Sequence, residues 1–158
     1  MTEIVYETGD ATAPSAIGSA IIAHICNDLG RWGKGFVIAV SARWPQPERA
    51  YRDWYKQRDS NAFGLGSVQF VRVASDLHVA NMIGQHGIRS SAGGPPIRYD
   101  AVDQSLEKLA DFAAVSNASV HMPRIGCGLA GGTWDRIERL IHDRLSSRGI
   151  SVVVYDPE

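Results

Sequence analysis

Apolar and polar residues follow one another along the chain in patterns that predict ten elements in the order β, β, α, α, β, β, α, β, α, β. Short runs that are continuously apolar, or that alternate, predict strands. Longer runs with apolar residues three and four positions apart predict helices. The predicted strands are residues 3–7, 20–26, 67–73, 77–83, 118–122 and 150–155, and the predicted helices are residues 36–44, 47–57, 100–116 and 134–147.

Connection lengths and hydrophobicity indicate how these elements assemble. Only residues 74–76 join the third and fourth strands, so these strands must be antiparallel neighbours. The run Ala20–Cys26 is apolar except for His24, as is typical of a strand covered on both faces. An aromatic stripe on the second helix (Tyr51, Trp54, Tyr55) indicates core packing. The pattern favours a single α/β domain over residues 1–158, with a mixed sheet and helices on both faces.

Composition narrows the functional classes. The chain has 158 residues, 44% of them hydrophobic and 21% charged, and a formal net charge of −1. This balance argues against a nucleic-acid binder that acts through a strong basic field. No signal peptide or membrane-spanning apolar run is visible, so we expect a cytoplasmic protein with no membrane partner. Cys26 and Cys127 fit a reducing compartment, and no histidine has metal-ligand spacing from them, so we expect no metal and no cofactor.

Two glycine-rich loops, each between a predicted strand and a predicted helix, are the candidate binding motifs. The first spans Asn27–Gly35, and the second lies between the strand at 118–122 and Trp134. Because glycine has no Cβ, backbone N–H groups in such loops can approach a phosphate closely. Loops of this kind gather at the carboxyl ends of strands, so two of them suggest a ligand with more than one phosphate. Lys34 is a candidate charge partner, and a solvated surface lysine is the alternative.

The second loop by itself is weak evidence for a ligand. Gly126, Gly128 and Gly131 match the dinucleotide-binding pattern G-x-G-x-x-G only in part. The loop lies late in the chain, whereas that fingerprint belongs in the first strand-to-helix turn. A tight strand-to-helix connection without a ligand is the alternative for this loop.

Taken together, the two loops resemble those of a known family. Asn27 is followed by Trp32-Gly-Lys-Gly-Phe36, and Pro123-Arg-Ile-Gly-Cys-Gly-Leu129 precedes Trp134. In this order of strands, the combination resembles a macrodomain, the ADP-ribose-binding α/β/α module. It is most similar to the branch of the terminal ADP-ribose protein glycohydrolase and the ADP-ribose-1″-phosphate phosphatases. The resemblance covers nearly the whole chain and implies a three-layer α/β/α fold with a mixed central sheet of about six strands.

The resemblance also implies where ADP-ribose would bind. Asp10 would accept a hydrogen bond from the adenine amino group, with the Ala11 N–H at the ring edge, and Tyr155 would pack against the adenine. Asn27 would bind hydroxyls of the distal ribose, since an amide offers both a donor and an acceptor. Backbone amides of the two loops would hold the diphosphate. The loop residues concerned are Gly33, Lys34, Gly35, Phe36, Ile125, Gly126, Cys127, Gly128, Leu129 and Ala130.

The positions that would carry catalysis differ from the pattern of this branch. The resemblance implies a nucleophilic lysine after the fourth strand and an aspartate directly after Gly-Cys-Gly-Leu, but Gln85 and Ala130 stand there. Glutamine has no nucleophilic amine and alanine has no proton to exchange, which excludes a lysine-linked covalent mechanism at these positions. A hydrolase would instead activate a water held by Gln85 or Asn27, with His86 or Asp28 as the proton acceptor.

Two functions fit these residues. The first is hydrolysis of the ester between mono-ADP-ribose and an acidic side chain, which is labile enough for orientation to supply much of the rate. The second is a non-catalytic ADP-ribose reader, and an ADP-ribose-1″-phosphate phosphatase is a further alternative. We favour the hydrolase, because a single domain has no attached effector for a reader to recruit. The expected partner is ADP-ribose or a mono-ADP-ribosylated protein, and RNA binding would need a basic groove that the composition does not favour.

Overall fold

The computed structural model describes residues 2–158, and its elements follow the predicted order. The strands are β1 (Val5–Thr8), β2 (Ala20–Asn27), β3 (Val68–Ala74), β4 (Leu77–Gln85), β5 (Ser119–Met122) and β6 (Val152–Asp156). The helices are α1 (Phe36–Arg43), α2 (Gln46–Lys56), α3 (Tyr99–Ser116) and α4 (Trp134–Arg144), with short 3₁₀ turns at Arg58–Ser60 and Ser146–Arg148. Every predicted strand and helix is therefore confirmed.

The strands form one six-stranded sheet in the order β1-β6-β5-β2-β4-β3. Neighbouring strands are parallel except for β3 and β4, which are antiparallel as their short connection predicted. β2 lies between β5 and β4, so the carboxyl ends of these three strands meet at one edge of the sheet. This edge carries both glycine-rich loops and the end of β4.

Alternate residues of β2 face two hydrophobic cores, one on each side of the sheet. Ile21 and Ala23 belong to the larger core, which α3 and α4 cover, and Ile22 and Cys26 belong to the smaller core beneath α1 and α2. Tyr51 is fully buried in the smaller core, which confirms the packing role predicted for it. Each fully buried aliphatic side chain contributes about 1.5–3 kcal/mol, so a strand buried on both faces stabilises all three layers. The predicted α/β/α architecture is confirmed.

Several element limits differ from prediction. β4 continues to Gln85, two residues beyond its predicted end at residue 83, because Gln85 pairs with Asn27 of β2 and forms a bridge with Ile97. β1 begins at Val5 and its four residues are exposed, because it is an edge strand that pairs with β6 alone. α4 ends at Arg144, where the chain tightens toward a 3₁₀ turn. Within residues 2–158, none of the helices has the length and hydrophobicity needed to cross a bilayer.

Candidate functional site

The two glycine-rich loops line a common cleft of about 210 Å³ at the carboxyl edge of the sheet. β2 leads into the first loop and β5 into the second, and because these strands are adjacent and parallel, their loops emerge side by side. We call this space the loop cleft. Its lining residues are His24, Ile25, Lys34, Gly35, Phe36, Val37, Gln85, Pro123, Arg124, Ile125, Gly126, Gly128, Leu129 and Ala130.

Both loops carry backbone N–H groups that have no acceptor within residues 2–158. In the second loop these belong to Gly128, Leu129 and Ala130, and in the first loop to Lys34 and Gly35. The first turn of α1, which follows Gly35, adds N–H groups that have no partner inside the helix. Such free donors at a helix N-terminus and in adjacent loops favour an anion. The loop cleft therefore has the chemistry of a phosphate-binding site.

The side chain of Asn27 holds the first loop in shape. Its Oδ1 accepts hydrogen bonds from the N–H groups of Leu29 (2.9 Å) and Arg31 (3.2 Å) and from the Tyr51 hydroxyl (2.9 Å). Its Nδ2 donates to the Arg31 carbonyl (2.8 Å). Most of the hydrogen-bonding capacity that the resemblance assigned to a ribose is thus used within the loop, and one Nδ2 hydrogen remains for a ligand.

Close backbone packing holds the second loop. The Gly132 N–H donates to the Gly126 carbonyl (2.7 Å), and the Ile97 N–H donates to the Ala130 carbonyl (3.0 Å). A Cβ at Gly126 would lie 2.8 Å from Ile97 Cδ1, and one at Gly132 would collide with the Gly126 carbonyl oxygen. Gly126 also has φ 73°, in the left-handed region that favours glycine. Gly132 is required by the closeness of a backbone carbonyl and Gly126 chiefly by its backbone conformation, whatever ligand the loop binds.

A second cavity, of about 390 Å³, adjoins the loop cleft, and we call it the side cavity. It contains both amides that were predicted to hold water, Asn27 and Gln85. Of residues 2–158, the charged ones in its lining are Arg31, Lys34 and Arg89, and none is a carboxylate. Its remaining lining residues are Ile25, Cys26, Gly33, Val37, Ile88 and Leu129. The structure therefore brings the two predicted amides together and surrounds them with positive charge.

The predicted proton acceptors lie outside both cavities. His86 Nδ1 lies 2.7 Å from Asp28 Oδ2, and Asp28 Oδ1 accepts the Gly87 N–H at 2.8 Å. Gln85 lines both cavities, and its side-chain Nε2 donates to the Gly87 carbonyl at 3.0 Å. The pair formed by His86 and Asp28 thus braces the turn after β4, next to the side cavity but not in it.

The residues expected at the adenine line neither cavity. Asp10 Oδ1 accepts hydrogen bonds from the Thr12 hydroxyl (2.7 Å) and N–H (2.8 Å), and these bonds hold the pKa of the Asp10 carboxyl below its usual value. Asp10 Oδ2 pairs with Arg43 at 3.3 Å. Ala11 is buried beside this turn. Asp10 is therefore charged and half-exposed, with its carboxylate already engaged by Thr12 and Arg43.

Tyr155 differs from the position that was expected for it. It lies within β6, and only 4% of its surface is exposed. Its hydroxyl lies 2.7 Å from His121 Nδ1. The ring has too little accessible surface in this conformation to stack on an adenine, because it is packed inside the protein against His121.

Cys127 lies in the second loop but lines neither cavity. Its thiol contacts the Ile125 carbonyl at 3.4 Å, and burial raises the pKa of this thiol. Cys26 is buried in β2, and both cysteines are free thiols. A thiol whose pKa is raised is a poor nucleophile at neutral pH, so neither cysteine has the environment of a catalytic one.

A buried histidine lies beneath the loop cleft. His24 is 2% exposed, and its Nε2 lies 2.6 Å from Asn81 Oδ1. The Asn81 amide is oriented because its Nδ2 donates to Gln69 Oε1 (3.1 Å) and to the Pro47 carbonyl (3.2 Å). Asn81 Oδ1 is therefore an acceptor, so His24 Nε2 carries the proton. Burial lowers the pKa of His24 to about 4, and its Nδ1 has no partner within residues 2–158.

Sequence reasoning missed Arg31, Arg89 and the pair formed by His24 and Asn81. The sequence did contain a signal for the pair of His24 and Asn81, because each is a polar residue inside an otherwise apolar strand and therefore needs a buried partner. For Arg31 and Arg89 there was none. They lie on two separate loops, and nothing in the pattern of either loop shows that the two side chains line one cavity.

Comparisons with known proteins agree with this architecture. No protein-family model matches the chain. The chain is similar to the solved structure of a macrodomain protein from Streptomyces coelicolor, with 62% sequence identity and a TM-score of 0.89 over 98% of this chain and 99% of that one. It is 28% identical to the ADP-ribose 1″-phosphate phosphatase of Lodderomyces elongisporus, over 97% of this chain and 99% of that protein.

A third relative is much longer. The chain is 34% identical to chromodomain-helicase-DNA-binding protein 1-like of Mus musculus over 98% of its own length, but it spans only 18% of that protein. The match therefore concerns one segment of the larger protein. High identity to the Streptomyces protein along nearly all of both chains, together with the shared fold, shows that this chain belongs to the macrodomain family.

Proposed function

We propose that this protein binds ADP-ribose in the loop cleft and hydrolyses the ester that joins mono-ADP-ribose to an acidic side chain. The observation that carries the proposal is the set of free backbone donors on two facing loops, with Lys34 between the two cavities. Two groups of donors suit two linked phosphates. The relative from Lodderomyces elongisporus bears the name of an enzyme that acts on an ADP-ribose derivative, which supports the same ligand class here.

The amides in the side cavity support a water-mediated reaction. Gln85 and Asn27 end adjacent strands and line the same space, so a water between them would lie beside the distal ribose. The lining residue at the end of β4 is Gln85 and not a lysine, and Ala130 is buried in the second loop, so neither of these two positions offers a nucleophile. The rate of hydrolysis would come from the orientation of a labile ester and from stabilisation of the developing charge by the positive charge of the site. His86, held by Asp28 outside the cavity, would receive the proton through solvent.

Release of ADP-ribose from a glutamate-modified peptide tests the proposal. We expect release by the native protein, and a loss of about tenfold or more in Gln85→Ala, because its amide would no longer orient the water. Gln57→Ala is the matched control, since Gln57 is an exposed residue that caps α2 away from both cavities. Equal rates for the two variants would contradict the assignment of Gln85.

A reader without turnover is the second candidate. It is favoured by one observation: among residues 2–158, no carboxylate lines either cavity and no imidazole lines the side cavity, so neither group lies beside the bond to be broken. Calorimetric titration of free ADP-ribose separates the two functions. Binding with no release from the modified peptide would establish the reader. The absence of both binding and release would reject the proposed function.

A further inference from the structure

Three cations around the side cavity have no partner within residues 2–158. Arg31 and Lys34 belong to the first loop, and Arg89 lies after β4. None of the three forms an ion pair or a side-chain hydrogen bond with residues 2–158. Five of the other arginines pair with carboxylates. These are Arg43, Arg52, Arg124, Arg144 and Arg148.

The surroundings do not neutralise these cations. Asp28, which follows Asn27 in the chain, directs its two oxygens to His86 Nδ1 and the Gly87 N–H. Ile88 and Leu129 form an apolar part of the wall. Charges of one sign in a cleft with low-dielectric walls focus the field and attract an ion of the opposite sign. The side cavity is therefore suited to an anionic group.

The position of the cavity indicates which anion it would take. The backbone donors of the loop cleft would hold the diphosphate, and the side cavity continues from that cleft past Asn27 and Gln85. Along this path, ADP-ribose places its distal ribose and then whatever is attached to the anomeric carbon. With ADP-ribose placed in this way, Arg31 and Arg89 would lie beyond the diphosphate, on the side of the bond that would be broken.

We propose that the side cavity binds an anionic oxygen leaving group on the anomeric carbon, and that Arg31 and Arg89 stabilise the charge that this group acquires. The proposal rests on the proposed function. The shared chemistry is that of a carboxylate from an acidic side chain or of a phosphate, both of which a guanidinium recognises through paired N–H groups. A cationic acceptor, such as an ADP-ribosylated arginine, would be repelled from the same cavity.

The reaction balances without a further reactant. Water adds to the anomeric carbon, and the bond from that carbon to the ester oxygen breaks, with its electron pair leaving on the carboxylate or phosphate. The proton lost by the water passes through solvent to His86. The products are ADP-ribose and a carboxylate or phosphate ion, and the arginines act because negative charge grows on the oxygen that they face as the bond breaks.

Arginine variants test this proposal against three substrates: a glutamate-linked peptide, ADP-ribose-1″-phosphate and an arginine-linked peptide. We expect Arg31→Gln and Arg89→Gln to lower the rate of release from the glutamate-linked peptide, from ADP-ribose-1″-phosphate or from both by about tenfold or more. Removal of a group that stabilises developing charge typically lowers a rate by at least this much. The substrate with the larger loss identifies the natural leaving group. The arginine-linked peptide should be a poor substrate. Arg49→Gln is the matched control, because Arg49 is an exposed arginine of α2 outside both cavities.

Two further measurements separate this role from simple ligand binding. Affinity for free ADP-ribose should stay within about threefold of native in both variants, because that ligand carries no anion beyond its diphosphate. In ¹⁸O-labelled water, the released carboxylate should contain no label. Equal losses of ADP-ribose affinity and rate, unchanged rates on both anionic substrates, or label in the carboxylate would each overturn the proposal.

The proposal can be judged even if the protein turns out not to be a hydrolase. Absence of release by the native protein would reject the proposed function, and the anion subsite would then be measured by binding alone. ADP-ribose-1″-phosphate should bind about tenfold more tightly than ADP-ribose to the native protein, and equally to the doubly substituted Arg31→Gln, Arg89→Gln protein. Equal affinity of the native protein for the two ligands would overturn the subsite.

Discussion

The two glycine-rich loops have the same place in the fold but are held in different ways. Both follow central parallel strands, precede helices and line the loop cleft. The first is organised by one side chain, since Asn27 bonds to Leu29, Arg31 and Tyr51. The second is organised by contact between its own backbone segments, with Gly126 and Gly132 hydrogen-bonded to each other. Similar composition therefore does not imply similar sensitivity to substitution.

The largest expected difference between the loops is in their tolerance of a methyl group. Gly132→Ala should lower the free energy of unfolding by about 3 kcal/mol, because its Cβ would collide with the Gly126 carbonyl and neither backbone segment can move freely. Gly33→Ala, the matched change in the first loop, should alter it by less than about 0.5 kcal/mol, since a Cβ there meets nothing within 4 Å. Denaturant unfolding measures both, and a similar loss in the two variants would remove the distinction.

Acidification probes the strands that carry the loops. His24 in β2 and His121 in β5 are buried, and burial lowers the pKa of each from 6.5 to about 4. Between these pH values the unfolded chain binds more protons than the folded protein does. The free energy of unfolding is therefore highest above pH 6.5 and falls as the pH is lowered through this range. We expect a loss of about 2 kcal/mol for each histidine at about pH 5.

Separate substitutions show whether each strand contributes. His24→Gln and His121→Gln should each remove part of the acid-induced loss, measured as denaturant unfolding across the pH range. His142→Gln, on the exposed surface of α4, is the control and should leave the pH dependence unchanged. A pH dependence that stays the same in both buried variants would show that other groups cause it.

A smaller loss of stability than that of Gly132→Ala or of acidification is expected when the side chain that organises the first loop is removed. Asn27→Ala should cost about 1 kcal/mol, because the loop is partly exposed and water replaces some of the lost hydrogen bonds. Its larger effect should be on ADP-ribose affinity, which we expect to fall about tenfold or more as the backbone donors lose their arrangement. Calorimetry measures this effect.

Asn61→Ala is the control for this prediction. Asn61 also bonds to nearby backbone, at Trp54 and Phe63, but it lies outside both cavities. Its affinity for ADP-ribose should equal that of the native protein. Asn27→Asp sharpens the comparison, because a carboxylate keeps the acceptor for Leu29 and Arg31 but loses the donor to the Arg31 carbonyl. Full affinity in Asn27→Ala would show that the first loop does not depend on this side chain.

Much of the fold was predictable, because the signals for it are local. The apolar run before Asn27 and the short link between β3 and β4 gave the central strand and the antiparallel pair, and both are confirmed. The end of β4 was placed two residues early, because pairing with Asn27 and Ile97, and not the local pattern, extends the strand to Gln85. Strand limits depend on partners that a local pattern does not contain.

The sequence by itself determined the order of the elements, the two glycine-rich loops and their emergence at one edge of the sheet. Periodicity encodes which faces are buried, and parallel strands must end on the same side. Only the tertiary structure decided which polar side chains meet. It buried Tyr155, left His86 outside the side cavity and brought Arg89 to the same cavity as Arg31. Such contacts depend on strand register and on the paths of loops far apart in the chain, which no local pattern records.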